Sequence, residues 1–310
     1  MSIRHYILSV IAIIFSVMIA TAADTYALID ISTAYVRSKP SHSGELVTQQ
    51  LMGFPVKIIE SKGEWSLVET IDGYKGYIIN NTLHPLSPEQ YDAWRASHRV
   101  IVNCHKEIAI TDSLGSQISD IVPGAILQLN AQSPSDSTKI HVILPDNREG
   151  YIPTEAAMPL SPWSSQQLSI SDIIAYATHN LGAPYLWGGM SPKGMDCSGM
   201  TWVSYWLNGR LLQRDASRQA LMGNKILDWR QLKAGDLAFF GNPTTKRITH
   251  VALLIDDCGS IIHSSQGRVR YNSLNPAAPD KITANFLWGI SSSSFLPLGE
   301  TPQAAWIFLK

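Results

Sequence analysis

Residues 185–200 read YLWGGMSPKGMDCSGM, and the cysteine near the end of this stretch decides how the rest of the chain is interpreted. The apolar residues that follow it recur at helical spacing: Met200, Val203, Trp206 and Leu207. This pattern predicts an amphipathic helix with Cys197 in its first turn. Unpaired N–H groups and the positive end of the helix dipole favour a thiolate at that position. A lone cysteine is also commonly a small buried apolar residue, so both interpretations stay open at this point.

The composition bounds the class of protein. The chain has 310 residues, of which 45% are hydrophobic and 16% charged, with a formal net charge of −1. This length predicts two or three domains, and the lack of a basic excess argues against a nucleic-acid partner. The three cysteines, Cys104, Cys197 and Cys258, leave at least one thiol unpaired, and their wide spacing argues against a disulfide framework or a zinc site. We expect a monomer that needs no metal or other cofactor.

The N-terminus predicts export. Arg4 and His5 precede an apolar run over residues 6–20, and ATA at residues 20–22 offers a small-residue cleavage site. The run is short for a membrane-spanning helix. We therefore expect a signal peptide at residues 1–22 and an exported protein, periplasmic or extracellular, with no stable membrane anchor after the signal is removed.

Two stretches predict small all-β barrels, at residues 23–86 and 100–160. Each consists of short strand-like runs separated by glycine-containing turns. The segment DGYKGYI at residues 72–78 is echoed by DNREGYI at residues 146–152, which indicates two related units. A connecting helix is expected at residues 87–99, between the barrels, and a linker at residues 161–170.

The last part of the chain, residues 171–310, predicts an α+β domain, because helices precede a run of strands. Ser171 is the expected N-cap of the first helix, and the cysteine helix comes next. His250 and His263 lie in two apolar strands joined by a turn around Cys258, so an antiparallel hairpin brings them together. One imidazole then takes the thiol proton and the other orients it. With nine histidines in the chain, a chance pair is the alternative.

From about residue 172 the chain resembles the NlpC/P60 cysteine peptidases, and the two β stretches resemble bacterial SH3 domains, the second less closely. Five NlpC/P60 motifs occur in the family's order: Tyr185-x-Trp187-Gly188-Gly189, Ser191-Pro192-x-Gly194-x-Asp196-Cys197-Ser198-Gly199, Ala234-Gly235-Asp236-Leu237-x-Phe239-Phe240, Ile248-x-His250-Val251-Ala252 and Ile262-His263-Ser264-Ser265. The resemblance implies a multidomain protein with two small all-β SH3-like barrels followed by an α+β papain-like NlpC/P60 domain. It makes Cys197 the nucleophile, His250 the base and His263 the residue that orients the base.

The same resemblance implies a substrate. This domain combination is similar to γ-D-glutamyl-L-diamino acid endopeptidases, which cut peptidoglycan stem peptides with a free N-terminal L-alanine in cell-wall turnover or recycling. Such a substrate needs acceptors for its ammonium group, and Asp196 and Glu45 are the candidates. Tyr74 and Tyr185 are expected to wall the pocket, and Ser198 to hydrogen-bond the peptide. A plain helix cap for Asp196 and a solvated loop position for Glu45 are the alternatives.

Other functions fit parts of the sequence. The two barrels by themselves suit a peptidoglycan-binding protein with an inactive peptidase domain, although the complete cysteine and histidine set disfavours this. Acyl transfer on lipid, which some relatives of the fold perform, would lack a membrane-anchoring stretch after the signal. The backbone N–H of Cys197 is the expected oxyanion donor, and the sequence indicates no second one.

Overall fold

The computed structural model describes residues 25–130 and 138–309, and the expected signal peptide at residues 1–22 lies outside them. Within the described ranges, no helix is long and apolar enough to cross a membrane. Two all-β units and one α+β unit follow one another along the chain.

The first β unit is one antiparallel sheet of seven short strands. They are β1 (Thr25–Ile29), β2 (Thr33–Arg37), β3 (Leu46–Leu51), β4 (Pro55–Lys62), β5 (Trp65–Glu69), β6 (Lys75–Ile79) and β7 (Leu83–Leu86). In space they are ordered β3-β2-β6-β5-β4-β1-β7. Buried and outward residues alternate along β2 and β6, as in strands that cover a core with one face. Val36 and Ile78 are fully buried in that core.

The second β unit repeats this plan. Its strands are β8 (Arg99–Val102), β9 (Ile108–Thr111), β10 (Gln117–Ile121), β11 (Ile126–Leu129), β12 (Lys139–Ile143), β13 (Glu149–Pro153) and β14 (Ala157–Pro159), ordered β10-β9-β13-β12-β11-β8-β14. Each strand takes the place of the strand seven earlier, so the sequence echo reflects a repeated topology. A Cβ on Gly76 would lie 2.6 Å from the Val36 side chain, and one on Gly150 would lie 2.5 Å from that of Ile110. Both positions need glycine because the neighbouring strand packs directly on them.

The segments that flank the second β unit are closely packed. Helix α1 (Pro88–Ala96) begins with a capping box at Ser87 and buries its two aromatic residues, as expected of a connecting helix. Helix α2 (Leu160–Ser164) lies where a linker was expected over residues 161–170. Trp163 is fully buried in it and donates its Nε1–H to the carbonyl of Trp206 at 3.1 Å. The linker prediction was wrong here, because one buried tryptophan outweighs the proline and serine content of the segment.

The α+β unit contains the cysteine helix and a five-stranded antiparallel sheet. Its elements are α3 (Ile170–His179), β15 (Met190–Ser191), β16 (Gly194–Met195), α4 (Cys197–Trp206), α5 (Ala216–Gln219), β17 (Leu237–Gly241), β18 (Ile248–Leu254), β19 (Ser260–Ser265), β20 (Arg268–Ser273) and β21 (Phe286–Ile290). The sheet order is β20-β19-β18-β17-β21, with α4 packed on β18 and β19. All ten residues of α4 are buried, so this helix is central to the unit. The N-cap of α3 is Ser169 and not Ser171, because the Ser169 side chain accepts the N–H of Asp172.

Both β units pack against the α+β unit close to α4. Gln49 on β3 accepts the N–H of Met190 on β15 at 2.8 Å. Trp206, at the end of α4, donates its Nε1–H to the carbonyl of Gly124 in the second β unit at 2.9 Å. Its ring also packs on Phe54 of the first β unit, with centroids 5.1 Å apart. The helix that begins at Cys197 is therefore fixed relative to both β units.

Candidate active site

Cys197 is the first residue of α4 and is held there by a tight glycine turn. Asp196 is the N-cap, and its side chain accepts the N–H of Gly199 at 2.7 Å. A Cβ on Gly199 would lie 2.0 Å from the carbonyl oxygen of Gly189, so the turn and the helix pack without side chains between them. Cys197 is 7% exposed. The local sequence thus places a nearly buried thiol at the N-terminus of a helix.

The environment of Cys197 favours the thiol over the thiolate. Burial raises the pKa of Cys197 to about 12, and the Asp196 carboxylate adds to this, while the N–H of Val251 and the charge of Arg214 oppose it. The expectation that the helix dipole would favour a thiolate is not met, because desolvation is the larger effect. The influence of the Val251 N–H on this pKa indicates that the sulfur lies against β18, the strand that carries His250.

His250 and His263 are in direct contact, as the hairpin pattern predicts. Leu253 on β18 pairs with Ile262 on β19, which puts the two histidines on the same face of the sheet in a diagonal relation. Nε2 of His250 lies 2.6 Å from Nδ1 of His263. Burial, followed by the neighbouring His263, lowers the pKa of His250 to about 3. His250 is therefore a neutral imidazole at physiological pH, with Nδ1 as its remaining nitrogen.

Asn272 on β20 continues the hydrogen-bonded chain, and the sequence analysis missed it. Nε2 of His263 lies 2.9 Å from Oδ1 of Asn272, while Nδ2 of Asn272 donates to the carbonyl of Asp280 at 2.5 Å. Because the amide nitrogen is committed to a carbonyl, the amide oxygen faces His263 and requires a proton on Nε2 of that ring. Nδ1 of His263 then accepts from Nε2 of His250. The remaining lone pair, on Nδ1 of His250, is free to accept the thiol proton.

Asp196 lies in a buried ion pair that the sequence analysis also missed. Its oxygens accept from Nη2 of Arg214 at 2.6 Å and from Nη1 at 3.0 Å, a bidentate geometry. The N–H groups of Gly188 (2.8 Å) and Gly199 complete the set. Arg214 is 2% exposed. The expected role of Asp196 as a receptor for a substrate ammonium does not agree with this arrangement, because both oxygens are already saturated by internal donors.

Ser198 belongs to the same buried network. Its hydroxyl donates to Asp196 Oδ1 at 3.2 Å and accepts from Arg214 Nη1 at 2.9 Å. Arg214 in turn donates from Nε to Thr48 of β3 at 2.7 Å, so the network joins the first β unit to the start of α4. The structure thus brings the Ser198 hydroxyl into the buried network beside Cys197, with its hydrogen bonds made inside the protein.

The remaining expected residues lie where the first β unit meets the α+β unit. Glu45 is exposed, and its Oε1 accepts the Nε1–H of Trp187 at 3.0 Å. Tyr74 is half-buried, and burial, together with the charge of Asp215, raises its pKa. Burial and the neighbouring Cys197 raise the pKa of Tyr185 to about 12, so this phenol stays protonated near the sulfur. Asp215, a half-buried carboxylate in the same region, is a candidate site residue that the sequence analysis missed.

Comparisons with known proteins decide the family. Residues 182–287 match the NlpC/P60 family, and residues 32–84 match the bacterial SH3 domain. A γ-D-glutamyl-L-lysine dipeptidyl-peptidase of Bacillus subtilis is 30% identical over 229 residues, which cover 70% of this chain and 71% of the relative. The chain belongs to the NlpC/P60 family. NlpC/P60 proteins are cysteine peptidases, so the protein is a hydrolase.

Two further comparisons cover most of the chain. Dipeptidyl-peptidase 6 of Lysinibacillus sphaericus is 28% identical over 261 residues, which cover 82% of this chain and 93% of the relative. A crystal structure of an NlpC/P60 family protein from Bacillus cereus aligns with a TM-score of 0.73 at 23% identity, over 86% of this chain and 98% of that one. The shared fold therefore includes the β region as well as the NlpC/P60 unit. The bacterial SH3 match falls on the first β unit, and the second unit shares its strand order.

Proposed function

We propose that this NlpC/P60 peptidase hydrolyses the γ-D-glutamyl-L-diamino acid bond of peptidoglycan stem peptides that carry a free N-terminal L-alanine. The observation that carries the proposal is the position of the first β unit, which sets Glu45 against Trp187 and Tyr74 near Arg214 and Asp215 of the α+β unit. A β unit packed against that side of the site suits a substrate peptide that ends there. Relatives named γ-D-glutamyl-L-lysine dipeptidyl-peptidase support the choice of bond. We also propose that residues 1–22 direct export and that the enzyme acts outside the cytoplasm, where wall peptides are found.

The proposed mechanism is acyl transfer through a thioester. The sulfur of Cys197 attacks the γ-carbonyl carbon of D-glutamate while its proton moves to Nδ1 of His250. The developing oxyanion is stabilised by the backbone N–H of Cys197 and by the protonated phenol of Tyr185. His250 then gives its proton to the leaving amine, and water hydrolyses the thioester by the reverse sequence of proton transfers. His263 holds His250 in the tautomer that the first step requires.

Asn272 is proposed as a positioning residue for this chain of imidazoles. We expect Asn272→Leu to lower kcat by about 10²-fold, within the range that a positioned general base contributes, because His263 loses the acceptor that sets its tautomer. Asn272→Asp keeps an acceptor and adds a negative charge, which favours imidazolium and moves the acid limb of the kcat/KM profile to higher pH. The wild-type enzyme, whose base has a pKa of about 3, should show no acid limb near pH 6.5.

The matched control for this experiment is Asn285→Leu, an exposed asparagine on the same unit. It should leave both kcat and the pH profile unchanged. If the pH profiles of kcat/KM for Asn272→Asp and the wild-type enzyme coincide, a charge at position 272 does not affect the pKa of the base.

We assign the substrate ammonium to Glu45 and Asp215, and no longer to Asp196. Asp215 is half-buried next to Tyr74, and the charges of Arg214 and Arg218 act on it, with Arg218 in a weak 4.0 Å contact. Burial raises the pKa of Asp215, which a bound ammonium would counteract. Glu45 lies exposed beside Trp187, with one oxygen on the indole N–H. Two carboxylates and a phenol are the acceptors that an alkylammonium group prefers.

This assignment predicts a strong preference for a free amino terminus. N-acetylation of L-Ala-γ-D-Glu-diaminopimelate should lower kcat/KM by about 10²-fold, because one or two charge-assisted hydrogen bonds are lost and the carboxylates stay unpaired. Glu45→Gln should reduce cleavage of the free-amine peptide and leave the acetylated one unchanged. Glu64→Gln, an exposed glutamate of the same β unit, serves as the control. Equal rates on the two peptides would rule out the ammonium site.

A further inference from the structure

A cavity lies against the two histidines. Its volume is about 380 Å³, within the range of small-molecule sites, ~300–1,000 Å³. Its lining includes polar and charged side chains: His250, His263, Gln266, Arg270, Asp280 and Lys281. Glu45, Tyr74 and Trp187 do not line it, so it is distinct from the region assigned to the acyl part of the substrate.

The reaction itself indicates which part of the substrate this cavity receives. In the proposed mechanism His250 returns its proton to the amine that leaves, so the leaving residue must lie against this imidazole. His250, the base of the proposed proton path, also lines the cavity. A leaving amine that accepts the proton of this imidazole therefore lies next to this space.

The charges in the cavity are unusual for a site that would accept lysine. Arg270 and Lys281 line it, and in the described part of the chain neither has a carboxylate within 4.0 Å. Nη1 of Arg270 donates to the neutral side chain of Gln266 at 2.6 Å, which leaves the guanidinium charge unpaired. Two cations that lack a carboxylate partner beside one cavity favour an anionic ligand. Asp280 supplies one opposing negative charge.

We propose that this cavity recognises the leaving diamino acid through a carboxylate on its far carbon, and so prefers diaminopimelate over lysine. This inference rests on the proposed function. The far end of a leaving diaminopimelate presents one carboxylate and one ammonium to a cavity that holds two cations and one anion. Arg270 and Lys281 both bind the far carboxylate, and Asp280 binds the far ammonium. Lysine presents only an ammonium at its far end, which the two cations repel.

The test compares two peptides, L-Ala-γ-D-Glu-meso-diaminopimelate and L-Ala-γ-D-Glu-L-Lys. The wild-type enzyme should cleave the first with a kcat/KM at least ~10-fold higher, the effect of one charge-assisted pairing. Equal kcat/KM values, or a preference for the lysine peptide, would overturn the inference while leaving the proposed function intact. Failure to cleave either peptide would instead overturn the proposed function.

Variants locate the preference in the cavity. Arg270→Gln and Lys281→Gln should each lower kcat/KM for the diaminopimelate peptide by about tenfold and change that for the lysine peptide by less than about threefold. Lys281 is exposed, so its substitution carries no risk to folding. Arg268→Gln removes the same charge from an exposed position on the same strand, outside the cavity, and should alter neither peptide. If Arg270→Gln and Lys281→Gln lower kcat/KM equally for both peptides, the two cations do not bind the far carboxylate.

Discussion

Replacement of Cys197 by alanine is expected to abolish peptide hydrolysis, with a fall in kcat on the order of 10⁴-fold or more. The proposed mechanism passes through a thioester, and a methyl group cannot form one. The fold should survive, because Cys197 is a small side chain at the start of a helix whose other nine residues are also buried. Release of L-Ala-γ-D-Glu from the free-amine stem peptide, followed by chromatography, measures the loss directly.

The chain offers a matched control in its exposed cysteine. Cys258 lies in the turn between β18 and β19, on the same hairpin as His250 and His263, and Cys258→Ser should keep the wild-type rate. His250→Ala should lose about as much activity as Cys197→Ala. The double variant should then lose little more, since the two residues act as one unit. Residual turnover of Cys197→Ala above about one per cent of wild type would exclude the thioester mechanism.

The contact between the two histidines was predictable because it depends on local pattern. A turn joins two apolar strands, and the twofold alternation of strands puts His250 and His263 on one face. The same rule, extended one hairpin further, would have found Asn272. His263 pairs with Arg270 across the turn at Gln266 and Gly267, and Asn272 lies two residues beyond, on the same face. Reading the register of β19 and β20 from the sequence was the missing step.

The surroundings of Asp196 were beyond sequence reasoning for a physical reason. Arg214 reaches it from an irregular loop after α4, where no periodicity relates one residue to another. Thr48 joins them from a different unit, far upstream in the chain. The ionisation of Cys197 was misjudged for a similar reason, since the helix dipole is a local property, whereas the burial that outweighs it depends on the whole fold.

Replacement of Arg214 by methionine is expected to destabilise the protein by about 3–5 kcal/mol. This is the cost of breaking a buried ion pair by removing one partner. The substitution leaves Asp196 buried without its cation and cuts the link from Nε to Thr48. Arg214→Lys keeps the charge but loses the bidentate geometry, so it should recover only part of the stability. Urea denaturation of the purified variants measures these differences.

Arg218→Met provides the comparison that separates structure from substrate recognition. Arg218 is exposed and lies four residues further on, with only a 4.0 Å contact to Asp215, so its loss should cost less than about 1 kcal/mol. Adding Asp196→Asn to Arg214→Met should cost much less than the sum of the two single changes, because the charge left unpaired is then removed. If Arg214→Met instead unfolds at the same urea concentration as Arg218→Met and only raises KM, Asp196 contributes to substrate binding and not to stability. A loss of stability with an unchanged preference for the free amine would establish the opposite, that Asp196 and its ion pair hold the start of α4 in place and do not bind the substrate ammonium.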